Sequence, residues 1–164
     1  MAHAPIDTPN IRAAAAAGLV AGLAASLAMD LFQAGIAALS SSESDAEPAT
    51  QKAADKVSQV VVGHEIPEDR KPIAGQVVHY ALGAGLGVAY AVVAEYRPTV
   101  TAGFGTAFAA VTTALLDETA VPAAGLGDAP WKTSPTTHLY SATSHMVFGT
   151  VTEGVRRLLL GWLK

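Results

Sequence analysis

The chain contains no cysteine among its 164 residues. That excludes disulfides, thiolate metal ligands and thiol nucleophiles together. Charge is also scarce: Asp, Glu, Lys and Arg make up 15% of the residues, against about 25% in ordinary soluble domains. The net charge is −4, and no basic stripe interleaves with aromatics, so nucleic acid is not an expected partner. There is no nucleophile–base pair and no cofactor fingerprint. Ser141 and Ser144 stand beside His145 on one helix, which cannot supply the orienting geometry of a triad. Gly83-Ala-Gly85-Leu-Gly87 lacks the preceding strand of a nucleotide loop. No catalytic residue is therefore assigned.

What is present is apolar sequence, 51% of the chain. A membrane-spanning helix needs about 20 mostly apolar residues, and four stretches qualify: 11–39, 73–94, 99–121 and 136–160. The first is too long for a signal-peptide core and is interrupted by Asp30 and Gln33, so it reads as a retained helix. Residues 1–10 read as a disordered tail and 11–164 as one domain. The expected fold is all-α: an integral membrane antiparallel four-helix bundle. An amphipathic surface helix is expected at about 46–62, where Ala49, Ala53, Val57, Val60 and Val61 recur at helical spacing. Gly63 ends it.

Each span carries a line of small residues, the mark of close helix contact in lipid. Gly18, Gly22, Ser26, Asp30 and Ala34 form one line; Gly75, His79, Gly83, Gly87 and Ala91 another. Gly103, Ala107, Ala110, Ala114 and Asp117 form the third, and His138, Ala142, His145, Gly149 and Thr152 the fourth. Alternating the spans up and down, at ~1.5 Å per residue, brings Asp30, His79, Asp117 and His145 to one layer near one face. Gln33, Gln76, Glu118 and His138 stand behind them as supporting partners. A charged Asp at the centre of a span costs about 2.5–3.5 kcal/mol, so these acids must pair with one another, with a cation or with water.

Three functions are compatible with such a layer. A pocket facing the periplasm could bind a divalent cation or handle protons in transport or sensing; His and carboxylate without thiolate suit zinc, manganese or iron. The cluster could instead be structural glue within an accessory subunit, a homo-oligomer or a larger membrane complex. A haem b held between His79 and His145 is the third, although nearby carboxylates are unusual haem neighbours. Glu153, with Arg156 and Arg157 at i+3 and i+4, reads as a local ion pair.

Basic residues close to span ends (Arg12, Arg97, Arg156, Arg157 and Lys164) place both termini in the cytoplasm. Between residues 75 and 157 the chain resembles the YagU-like family of small bacterial inner-membrane proteins. The resemblance is carried by His79, Tyr90-Ala-Val-Val-Ala-Glu95 before Pro98, Gly103, Gly125-Leu126, His145 and Arg156-Arg157, with Gly18-Leu-Val-Ala-Gly22 similar in the first span. It implies a helical protein of the inner membrane with lipid as its surroundings, and it supplies no activity or site residue.

Overall fold

Helix α1 spans Ile11–Leu39 in the computed structural model, which describes residues 10–40 and 47–163. Asn10 starts it, its side-chain oxygen accepting the Ala13 N–H at 3.1 Å, one of the donors a helix start leaves free. After it come α2 (Ala49–Val61) and α3 (Lys71–Tyr96), then a 3₁₀ turn at Pro98–Thr101. Helix α4 (Thr106–Leu115) continues through a π-helical turn (Leu116–Ala120) into one more α turn, α5 (Val121–Ala123). A 3₁₀ turn at Pro130–Lys132 leads to α6 (Pro135–Leu163). The fold is all-α, with no strand among the described residues. The expected tail up to residue 9, the acidic Ser-rich opening of the first loop at 41–46, and Lys164 lie outside the described residues.

Small residues set how the helices meet. Helix α1 buries Ala14, Ala17, Gly18, Ala21, Gly22, Ala25 and Ser26, and turns Leu19, Leu23, Leu27 and Leu31 outward. Against it, α3 runs antiparallel in a register that steps by four: Gly18 meets Ala91, Gly22 meets Gly87, Ser26 meets Gly83, and Asp30 meets His79. A Cβ added at Gly87 would lie 2.7 Å from Gly22 Cα, so the two backbones touch along this seam. The other flank of α1 packs on α6. Helix α4 rests on α6 through Gly105, Ala109 and Gly149, and it meets α3 through the stacked rings of Phe108 and Tyr90, whose centroids are 4.4 Å apart. Ala25, Met29 and Phe148 form the apolar centre, flanked by Leu86, Phe108 and Val151.

The stretch at 99–121, expected to be one helix, is divided. Gly103, Phe104 and Gly105 all have positive φ, at 63°, 56° and 86°, and this left-handed turn, which glycine adopts without steric cost, delays α4 to Thr106. The expected line of Ala107, Ala110 and Ala114 is exposed; Gly105, Ala109 and Thr112 make the contact instead. Among the described residues, two helices are long and apolar enough to cross a membrane: Ile11–Leu39, with a mean hydropathy of 1.8, and Lys71–Tyr96, with 1.7. Helix α6 is as long as α1 but carries too many polar groups to pass the same test.

Helix α2 sits across the end of the bundle. Gln51 packs against Gly75 at the start of α3, while Val57, Val60 and Val61 remain exposed, so the apolar face read from the sequence is not buried against the other helices. Asp55 ties this corner together. It accepts the Ile66 N–H at 2.8 Å and pairs with Lys71 Nζ at 3.2 Å, and Lys71 also reaches Glu68 at 2.6 Å and Glu47 at 3.6 Å. The Ile66 amide first, and Lys71 after it, hold the Asp55 carboxyl below its ordinary value of 3.8. A carboxyl depressed in the folded state stabilises the corner fully above its unfolded pKa, and that contribution is lost as pH falls through the folded value. Hydrogen exchange should therefore show the Ile66 amide protected at pH 5 and losing that protection, relative to its intrinsic rate, as pH falls through the folded value of the carboxyl. In Asp55→Asn the dependence on pH should vanish.

Candidate functional site

The seam between α1 and α3 runs on past its glycines to two polar residues. Asp30 and His79 occupy the next step of the same register, with His79 Nε2 3.3 Å from Asp30 Oδ1. Gln76, one turn earlier on α3, donates to Asp30 Oδ2 at 2.5 Å, and Tyr80 also lies beside this carboxylate. The seam brings Asp30 to α3, where His79 and Gln76 share a face at i, i+3.

The second pair depends on the π turn. Pro122 has no N–H to give the Glu118 carbonyl, and in a regular α turn its ring would collide with that carbonyl. The wider turn, closed by the Val121 N–H on the Leu116 carbonyl, relieves both. Its extra residue lets two successive carboxylates reach the same neighbour, α6. Asp117 accepts from Ser141 Oγ and stands 3.3 Å from His145 Nδ1. Glu118 meets His138 Nδ1 at 2.7 Å. Single π turns inside α-helices recur at functional sites.

The ring nitrogens take defined roles from these partners. His145 Nδ1 faces both Asp117 and the Ser141 carbonyl, the latter at 3.1 Å; both are acceptors, so Nδ1 carries the proton. His138 has Glu118 on one nitrogen and the Pro130 carbonyl on the other, at 3.0 Å, an arrangement that only the doubly protonated ring satisfies. Asp117 stands between Ser141 and His145, which is the wrong order for a catalytic triad, where the imidazole is central.

Asp30, His79, Asp117 and His145 all line one cavity of about 640 Å³, and Gln33 and Gln76 line it with them. Glu118 and His138 are not among its lining residues and form a separate pair beside it. The four do not converge on a point. No group of three or more His, Asp or Glu among the described residues is placed to hold a metal ion, because each imidazole is held against its own carboxylate by a different helix seam. The expected joint ligand set for zinc, manganese or iron is thus replaced by two acid–imidazole pairs. Nor do the nearby glycines leave room for haem: Gly75 is filled by Gln51, Gly83 by Ser26 and Gly149 by Ala109.

The cavity is also lined by residues 47–51 at the start of α2. One feature was not read from the sequence. At the opposite end of α6, Glu153 is 0% exposed and accepts from Tyr90 Oη of α3 at 2.9 Å, besides binding Arg156 Nε at 2.8 Å and Arg157 Nε at 2.5 Å. The local ion pair expected from the sequence is present, and through Tyr90 it also ties α6 to α3. Tyr90 in the stretch 90–95 was visible, but its partner is 63 residues away.

A family model described as "Protein of unknown function (DUF1440)" matches residues 56–154, three-fifths of the chain. It covers His79, Asp117 and His145 and leaves out α1 with Asp30. No curated protein and no solved structure matches the chain.

Proposed function

We propose that this chain, which belongs to the DUF1440 family of proteins of unknown function, is a small membrane protein whose cavity exchanges protons through two carboxylate–imidazole pairs. The observation that carries this reading is the placement of Asp30–His79 and Asp117–His145, each at 3.3 Å, on the wall of one cavity. An imidazole gains or loses a proton near neutral pH, and a carboxylate this close acts on that change of charge. The groups facing the cavity that can titrate are Asp30, Glu47, His79, Asp117, Tyr140 and His145.

The membrane setting is part of the proposal. In support, α1 turns its leucines outward and its glycines and alanines inward, the reverse of a helix that buries large side chains in a water-soluble core, and small-residue seams are the usual contact of helices in lipid. In this reading α1, α3, the α4–α5 segment and α6 make a four-helix bundle, and α2 lies at the membrane surface over the cavity with its valines toward lipid. In this reading both termini are cytoplasmic and the cavity faces the periplasm; five basic residues fall on each side, and those on the side of the termini lie closer to the span ends, where the positive-inside rule has most force. The likeness to YagU-like inner-membrane proteins agrees with this address.

NMR of the histidine ring resonances, in lipid nanodiscs, tests the reading. Asp30→Asn should shift the His79 ring resonances and leave those of His145 in place; Asp117→Asn should do the reverse. If both variants lower thermal stability and move neither set of resonances, the pairs are structural glue and the proposal fails.

A further inference from the structure

We infer that the guest of this cavity is an organic ammonium ion with an apolar body, an inference that rests on the proton-exchange reading above. Size is the first argument. A cavity of about 640 Å³ falls in the roughly 300–1,000 Å³ range of small-molecule pockets, whereas a water molecule occupies about 30 Å³ of liquid. A site that only relayed protons would need a file of waters, not this volume. The walls are mostly apolar: Met29, Leu82, Leu86, Leu116, Tyr140 and Phe148. They suit a hydrocarbon body, and the two aromatic rings can face a cation.

Charge is the second argument. Asp30, Glu47 and Asp117 line the cavity, Glu47 with Lys71 at 3.6 Å behind it, and no lysine or arginine is among its lining residues. The carboxylates therefore favour a cation over an anion.

Binding and proton exchange are then linked by charge. A cation seated against Asp30 or Asp117 adds one positive charge to a site that already holds protons on its carboxylate–imidazole pairs. Loss of one proton from a pair to solvent restores the balance, and entry of a proton favours release of the cation.

Calorimetry of the full chain in nanodiscs tests this, with benzyltrimethylammonium as the permanently charged probe and neopentylbenzene as its uncharged counterpart. Empty nanodiscs correct for partitioning into lipid. The cation should bind at least tenfold more tightly than the neutral compound, and comparison of two buffers of different ionisation heat should show about one proton released per cation. Asp30→Asn and Asp117→Asn should each weaken the cation at least tenfold. Leu82→Trp, which fills the cavity and leaves its charges, should abolish binding and leave the His79 and His145 ring resonances intact. Equal affinity for the neutral compound, or undiminished affinity in the Asn variants, overturns the inference. If the cation does not bind while the paired resonance shifts persist, the guest is wrong and proton exchange stands. If the paired resonance shifts are absent, both fall.

Discussion

Gly22→Leu should be among the most damaging single substitutions in this chain, lowering stability by at least the upper end of the roughly 1–3 kcal/mol typical of overpacking. A Cβ at Gly22 would fall inside the Gly83 carbonyl oxygen, with Gly83 C at 2.9 Å and Ala84 Cα at 3.1 Å. All three are backbone atoms, so no side chain can rotate away, and α1 must separate from α3 to admit the leucine. The same seam sets the register of Asp30 against His79, so the variant should lose that pair and the cavity wall together. Gly85, two residues along α3 from Gly83, has nothing within 4 Å of an added Cβ. Gly85→Ala should therefore stabilise by about 0.5–1 kcal/mol, the ordinary gain of alanine over glycine in a helix. Thermal melts followed by circular dichroism would measure both. Equal midpoints for Gly22→Leu and the parent would mean the two helices do not touch there.

This contrast also shows what the sequence could and could not convey. The lines through Gly18, Gly22 and Ser26 and through Gly83, Gly87 and Ala91 were legible because two long helices keep a constant period, and Asp30 and His79 lie on the continuation of those lines. In the third segment the period is reset twice. The left-handed turn at 103–105 delays the helix, and the π turn at Leu116–Ala120 adds a residue to one turn. Counting by threes and fours from Gly103 therefore selects Ala107, Ala110 and Ala114, which are exposed. Gly103, Gly105 and Pro122 were the visible signs of both interruptions, and in so apolar a stretch they read as ordinary small-residue spacing.

The layer of acids and histidines was legible for a simpler reason. Depth along a helix follows from residue count, so Asp30, His79, Asp117 and His145 could be assigned to one cavity without knowing how the helices are rotated. Whether they meet as one set or as two depends on that rotation. It is fixed by the glycine contacts of each seam and by the π turn, and the outcome is two pairs. Ser141 had no comparable signal: it gains meaning only from Asp117 beside it.

Glu153→Ala should cost about 3–5 kcal/mol, the range for removing one partner of a buried ion pair. The carboxylate is 0% exposed, and Arg156 binds it through two nitrogens, at 2.8 and 3.1 Å. The Arg156 side chain is itself only 12% exposed, so truncation at residue 153 strands a guanidinium away from solvent. Arg157 is 53% exposed; water can replace its share, and Arg157→Ala should cost under about 1 kcal/mol. Tyr90 loses its only hydrogen-bond acceptor on α6, which loosens the contact between α3 and α6 at the end remote from the cavity. The cost lies mainly in the stranded charge, so removing both charges should restore most of it. Glu153→Met with Arg156→Met should be far closer to the parent than Glu153→Ala, and a double-mutant cycle on unfolding midpoints would show strong coupling between the two positions. Additive effects would mean that the pair is not what holds this end of the bundle, and that the rings of Tyr90 and Phe108, stacked at 4.4 Å, hold it without help from charge.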